Sequence, residues 1–186
     1  MIVAFDASTL IYLFDDQAAA PTDPSIGKPV ERCRDRIEHL IATLAKAKAK
    51  IIIPTPSLAE VLVRAQDGAP ERLRILKSSK HFKIVPFDER AAVEFAATQT
   101  VRHTNGTKSP SSPRTKAKFD DQIVAIAAVE GVTKIYSDDS DIAKVAGSRM
   151  EVVGMIDLPL PPEDAQGDIF SLLQPEPTGD ENGEPV

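Results

Sequence analysis

Cysteine is all but missing: Cys33 stands alone in 186 residues. It permits no internal disulfide and no cysteine cluster for zinc, and it fits a reducing compartment. Long apolar runs are missing too, since none approaches the roughly 20 residues that a membrane span needs. Met1 leads straight into a strand-like run, with no cationic and apolar leader before it. There is no glycine-rich phosphate loop ending in Gly-Lys. We expect from these absences a soluble, cytoplasmic protein.

Basic residues stop before Asp157. From there to the C-terminus eight Asp or Glu stand among prolines without one Lys or Arg. The net charge of -6 is therefore unevenly spread, because residues 1–156 carry 22 basic against 20 acidic side chains, or +2. Overall acidity does not exclude a nucleic-acid substrate when local distribution decides binding. The expected organisation is one domain over residues 1–156 and an acidic, Pro-rich, poorly ordered tail over 157–186. Within that tail Ile169 to Leu173 is apolar enough to dock.

What is present is an alternation of strand and helix signals. Short β-branched runs at 2–6, 51–53, 81–87, 134–137 and 151–153 read as strands. Helical periodicity marks 8–14, 31–50, 58–65, 71–78, 89–101, 120–130 and 142–146, with Gly131 as a C-terminal stop. Residues 15–29 and 104–118, rich in Pro, Ser, Gly or Asp, read as loops. This order predicts an α/β fold, a three-layer sandwich with a mainly parallel central sheet. Ligand sites in such sheets lie beyond the carboxyl ends of the strands.

Four acids occupy such places: Asp6, Glu60, Asp120 and Asp139. Asp6 ends the first apolar run, and Asp139 follows Ile135-Tyr136-Ser137. Glu60 comes after Ile51-Ile52-Ile53 and a Pro-marked turn, and Asp120 precedes the apolar stretch Ile123 to Val129. Carboxylates repel one another and resist burial, so a fold that gathers four of them normally holds a divalent cation. The rival reading is structural. Asp, Ser and Thr favour helix N-caps, which suits Asp6-Ala7-Ser8 and Asp138 to Asp141, and Ser57-Leu58-Ala59-Glu60 satisfies a capping box. Thr55-Pro56 is an equally good cap, and would leave Glu60 inside the helix and free to face a site.

The segments F-D-A-S-T-L at 5–10, P-S-L-A-E-V at 56–61, D-D-Q-I-V-A-I-A at 120–127 and Y-S-D-D-S-D at 136–141 resemble the PIN domain family, in that family's order, over residues 2 to about 153. The resemblance implies a PIN-like fold and a metal-dependent ribonuclease for single-stranded RNA, such as the VapC-type toxin of a type II toxin–antitoxin pair. It implies Mg²⁺ or Mn²⁺ held by Asp6, Glu60, Asp120 and Asp139, with Ser8, Ser137 and Asp141 in support. The choices of Asp120 over Asp121 and of Asp139 over Asp138 stay open. Hydrolysis of this kind leaves a 5′-phosphate and a 3′-hydroxyl and uses no catalytic histidine; His39, His81 and His103 all lie outside the acidic motifs. An antitoxin partner and a homodimer are implied in the same way.

On the substrate side, Arg102, Lys108, Arg114, Lys116 and Lys118 fall in a stretch without acids that leads into Asp120. Phosphate contacts from such a stretch give affinity without sequence preference. An exposed, solvated loop is the plainer reading. Arg32, Arg34 and Arg36 could meet a partner's acids, but read rather as a solvated helix face. Two other functions compete. A haloacid-dehalogenase-like phosphatase wants a second Asp two residues after the first, where this chain has Ser8. A non-catalytic PIN-like scaffold for RNA or protein would be expected to have lost some of the four acids.

Overall fold

The computed structural model describes residues 1–106 and 114–162, the side chains of 114 and 115 excepted. In chain order the elements are β1 (Ile2–Phe5), α1 (Ala7–Phe14), β2 (Thr22–Asp23), β3 (Lys28–Pro29), α2 (Cys33–Lys46), β4 (Lys50–Pro54) and α3 (Thr55–Ala65). They continue with α4 (Ala69–Ser78), β5 (Phe82–Val85), α5 (Glu89–Thr104), α6 (Arg114–Val129), β6 (Lys134–Tyr136), α7 (Ser140–Ala146) and β7 (Glu151–Val153). None of the described helices is long and apolar enough to cross a membrane.

Five strands form one sheet in the order β5-β4-β1-β6-β7, and every neighbouring pair is parallel. Strands buried on both faces need continuous apolar runs, which is why Ile2 to Phe5 and Ile51 to Ile53 do not alternate with polar residues. Alternate side chains then feed two cores. Val3, Phe5, Ile51, Ile53 and Phe82 face α1 to α4, with Leu10, Ile37, Ile41 and Leu76 packed on them. Ala4, Ile52, Val85 and Ile135 face the other way, against Ile123, Ile126, Ile142 and Val145. The chain is thus an α/β three-layer sandwich, as its sequence pattern predicts.

Three segments differ most from the sequence reading. The segment expected as a loop at 15–29 contains the small antiparallel pair β2–β3, turned at Gly27 with φ 65°. The helix expected over 31–50 is shorter, bounded by Arg32 and Lys48 in left-handed backbone. The loop expected to run to Lys118 stops sooner, because α6 begins at residue 114. The run Arg-Thr-Lys-Ala-Lys is built largely of good helix formers, and its neighbouring Ser and Pro residues disguise that. The basic residues are therefore not one loop: Arg102 lies on α5, whereas Lys116 and Lys118 lie on α6. Nor are the arginines of α2 simply solvated. Arg34 pairs with Asp16 and Glu38, Arg32 with Asp35, and Arg36 donates to the Leu158 carbonyl. Leu158 itself is buried in the core.

Candidate metal centre

The central strand β1 delivers Asp6. Its backbone N–H donates to the Tyr136 carbonyl at 3.1 Å, which carries the β1–β6 pairing one residue past the strand. Asp6 is the N-cap residue of α1, yet its carboxylate does not cap the helix. Oδ1 instead accepts the Ser57 hydroxyl at 3.0 Å and Oδ2 the Ser137 hydroxyl at 2.8 Å. Burial raises the pKa of this carboxyl above its ordinary value. The hydroxyls of Ser137 and Ser57 work against that rise, and the charge of Asp139 adds to it.

Glu60 projects from the second turn of α3, where the residue is exposed at the rim. Partial desolvation of its carboxyl raises its pKa, and the charges of Asp6, Asp120 and Asp139 push further in the same direction; Lys116 pulls the other way. Glu60 is therefore within electrostatic reach of the other three predicted acids. The four come from the end of β1, from α3, from α6 and from the β6–α7 connection, at the carboxyl edge of the sheet.

The two aspartate pairs divide cleanly. Asp120 is 5% exposed and its Oδ2 lies 3.9 Å from the Lys116 ammonium, whereas Asp121 turns toward α5, taking Gln99 Nε2 at 2.7 Å and pairing with Arg102. Asp139 caps α7 by accepting the Asp141 N–H at 2.8 Å on Oδ1, and its Oδ2 takes Lys116 Nζ at 2.7 Å. Asp138 points away, accepting the Met155 N–H at 2.6 Å. Asp141 holds Lys144 and Lys116, and these ammonium groups keep its pKa low.

Of the supporting residues, Ser137 touches the acids directly and also accepts the Asp139 N–H at 3.0 Å. Ser8 does not; its hydroxyl accepts the Asp138 N–H at 3.1 Å and ties the β6–α7 connection to α1. Ser57 is fully buried and was missed in the sequence, where it reads as half of a capping box. The structure denies that box: the N-cap of α3 is Pro54, Pro56 sits in the first turn, and Ser57 is already helical. The Thr55-Pro56 cap fails likewise, since the Thr55 hydroxyl accepts the Phe87 N–H. Among the basic residues, Arg102 is committed to Asp121 and Lys116 to the acids, whereas Lys118 is exposed. Lys108 and the side chain of Arg114 lie outside the described residues.

Every donor in the cluster is an oxygen, the set a hard divalent cation takes. Among the described residues no three acidic, His or Cys side chains are gathered tightly enough to hold an ion as they stand. The space between Asp139, Asp141 and Asp120 is taken by the Lys116 ammonium, so a cation already occupies the acidic cradle. The residues fit a metal in chemistry and charge. Beside Glu60 opens an apolar groove of about 460 Å³, lined by Ile11, Pro56, Val63, Arg64 and Phe119.

The PIN domain family model matches residues 29–148. The chain belongs to the PIN domain family. That match begins after Asp6 and Ser8, so those two positions rest on the fold. The PIN fold here is similar to that of solved VapBC structures. VapBC2 from Rickettsia felis, bound to a DNA fragment from its promoter, matches with a TM-score of 0.57 at 14% identity, covering 83% of this chain and 98% of that one. DNA-bound VapBC from Salmonella typhimurium gives 0.54 at 14% identity, with the same coverage of each chain. VapBC-1 from Haemophilus influenzae gives 0.52 at 10%, covering 84% and 99%. No curated protein matches the sequence.

Proposed function

We propose that this PIN domain protein is a metal-dependent endoribonuclease that hydrolyses phosphodiester bonds of single-stranded RNA, and that it is the toxin of a type II toxin–antitoxin pair. One observation carries the reading: the Ser137 hydroxyl joins the Asp6 carboxylate to the Asp139 N–H, and the Lys116 ammonium joins Asp139 to Asp120, so acids distant in sequence lie side by side at the carboxyl edge of the sheet, with Glu60 at the rim. Asp6, Glu60, Asp120 and Asp139 would hold Mg²⁺ or Mn²⁺. The ion, when bound, lowers the pKa of a water and neutralises charge on the phosphate.

The chain's own contribution is positioning. Ser57 and Ser137 hold one oxygen each of the Asp6 carboxylate and fix its plane. The Asp141 N–H orients Asp139. Glu60 is the one acid of the four exposed at the rim, where substrate would enter. Lys118, with Lys108 and Arg114 before it, would meet RNA phosphates, and binding should weaken as salt rises. Arg102 and Lys116 reach phosphate only by leaving their carboxylates. The likeness to VapBC structures supports an antitoxin partner; a homodimer is proposed on the family resemblance alone.

The test is cleavage of single-stranded RNA by purified, antitoxin-free protein with Mg²⁺, Mn²⁺ or EDTA, beside Asp6→Asn and Asp120→Asn. Cleavage that needs metal and disappears in both variants is the expected result. Failure to cleave and to bind metal would instead support the scaffold reading.

A further inference from the structure

We propose that Lys116 is the exchangeable counter-cation of the acidic cluster, displaced from Asp139 and Asp120 when a divalent ion enters and retained by Asp141. The inference rests on the metal-centre reading above.

Lys116 and Asp120 are four residues apart on α6, so the helix sets them on one face, one turn apart. The ammonium reaches across to the neighbouring connection, 2.7 Å from Asp139 Oδ2 and 3.0 Å from Asp141 Oδ2, with Asp120 Oδ2 at 3.9 Å. Two of these three carboxylates belong to the proposed ligand set, and the third does not. A divalent ion placed between Asp120 and Asp139 would stand within a few ångströms of this ammonium. Like charges at that distance repel by several times the thermal energy even at a surface-like dielectric. Entry therefore requires the ammonium to move. Four rotatable bonds in the lysine stem allow it, and Asp141, which also holds Lys144 at 2.7 Å, keeps an acidic anchor outside the ligand set.

Two consequences separate this role from ordinary surface pairing. Without metal the lysine screens the mutual repulsion of the acids and holds the β6–α7 connection against α6. With metal it competes, so it weakens affinity. Lys118, two residues on and exposed, carries the same charge without touching the cluster, and provides the control.

The experiment is a Mn²⁺ titration of the full chain by calorimetry or by the resonance of free Mn²⁺, on wild type, Lys116→Met and Lys118→Met, with melting of each protein in EDTA. Lys116→Met should bind Mn²⁺ about tenfold more tightly than Lys118→Met and should melt lower in EDTA. Should Lys116→Met not fold, Lys116→Gln, which can still hydrogen-bond to Asp139, takes its place. Equal affinity in the two lysine variants overturns the exchange while leaving the metal centre standing. No Mn²⁺ binding by any of the proteins overturns the metal centre, and the exchange with it.

Discussion

At Asp6 a carboxylate that is 6% exposed must ionise against burial, with two serine hydroxyls to help and a neighbouring acid to hinder. Its pKa is higher folded than unfolded. The carboxyl therefore favours the fold when protonated, below its ordinary value of 3.8, and that favour is lost as pH rises through the folded pKa. Asparagine keeps the shape and removes the charge, and the serine hydroxyls can rotate to suit it. Asp6→Asn in EDTA should accordingly be more stable than wild type at pH 7, by about 1 kcal/mol, the usual yield of relieving a functional site. The difference should fade at acid pH; thermal melts at pH 7 and below pH 4 check it. The four acids could be picked out in the sequence because each stands at or near the edge of an apolar run. Ser57 could not, because a hydroxyl three residues before a glutamate is also the signature of a helix cap. The doublets at 120–121 and 138–139 stayed ambiguous for another reason: adjacent residues on a helix or bend point in different directions, and only packing says which direction is inward.

Asp121 is where α5 and α6 are joined. Its buried carboxylate pairs with Arg102, whose side chain is 16% exposed, and accepts Gln99 as well. Removing one partner of such a pair leaves a buried charge and typically costs 3–5 kcal/mol, whereas removing both costs far less. Arg102→Ala should lose about 3 kcal/mol in urea unfolding, and the double variant Arg102→Met/Asp121→Asn should recover most of it. Asp120→Asn and Asp121→Asn should then behave oppositely: the first abolishes RNA cleavage in a folded protein, the second lowers stability while cleavage persists below the melting range. Activity and urea midpoint, measured side by side, tell them apart. Helices and strands were mostly legible in the sequence, since a period of 3.6 marks helices and short continuous β-branched runs mark strands buried on both faces. The start of α6 was missed because lysines serve loops and helices equally well, so its first turns read as a continuation of the Ser-Pro stretch before them.

For the molecule as a whole, the sheet order puts β1 at the centre with β4 and β6 on either side. The body closes later than the charge pattern implies. Leu158 is 4% exposed, and its carbonyl receives Arg36. Truncation before residue 158 should thus cost about 2 kcal/mol more than truncation before residue 163, the worth of one buried leucine. Denaturant midpoints of the two truncated chains test this; equal midpoints would show that the contact contributes nothing. Composition could not reveal this boundary, because an isolated leucine among prolines carries no periodicity.

Asp6 accepts its hydrogen bond from Ser137 across 131 residues of chain. During synthesis Asp6 emerges well before the strand that completes its surroundings. A parallel pairing between such distant segments cannot form until the intervening β4, α5 and α6 have been made. A chain made only as far as α6 therefore carries three of the four acids without the strand that gathers them.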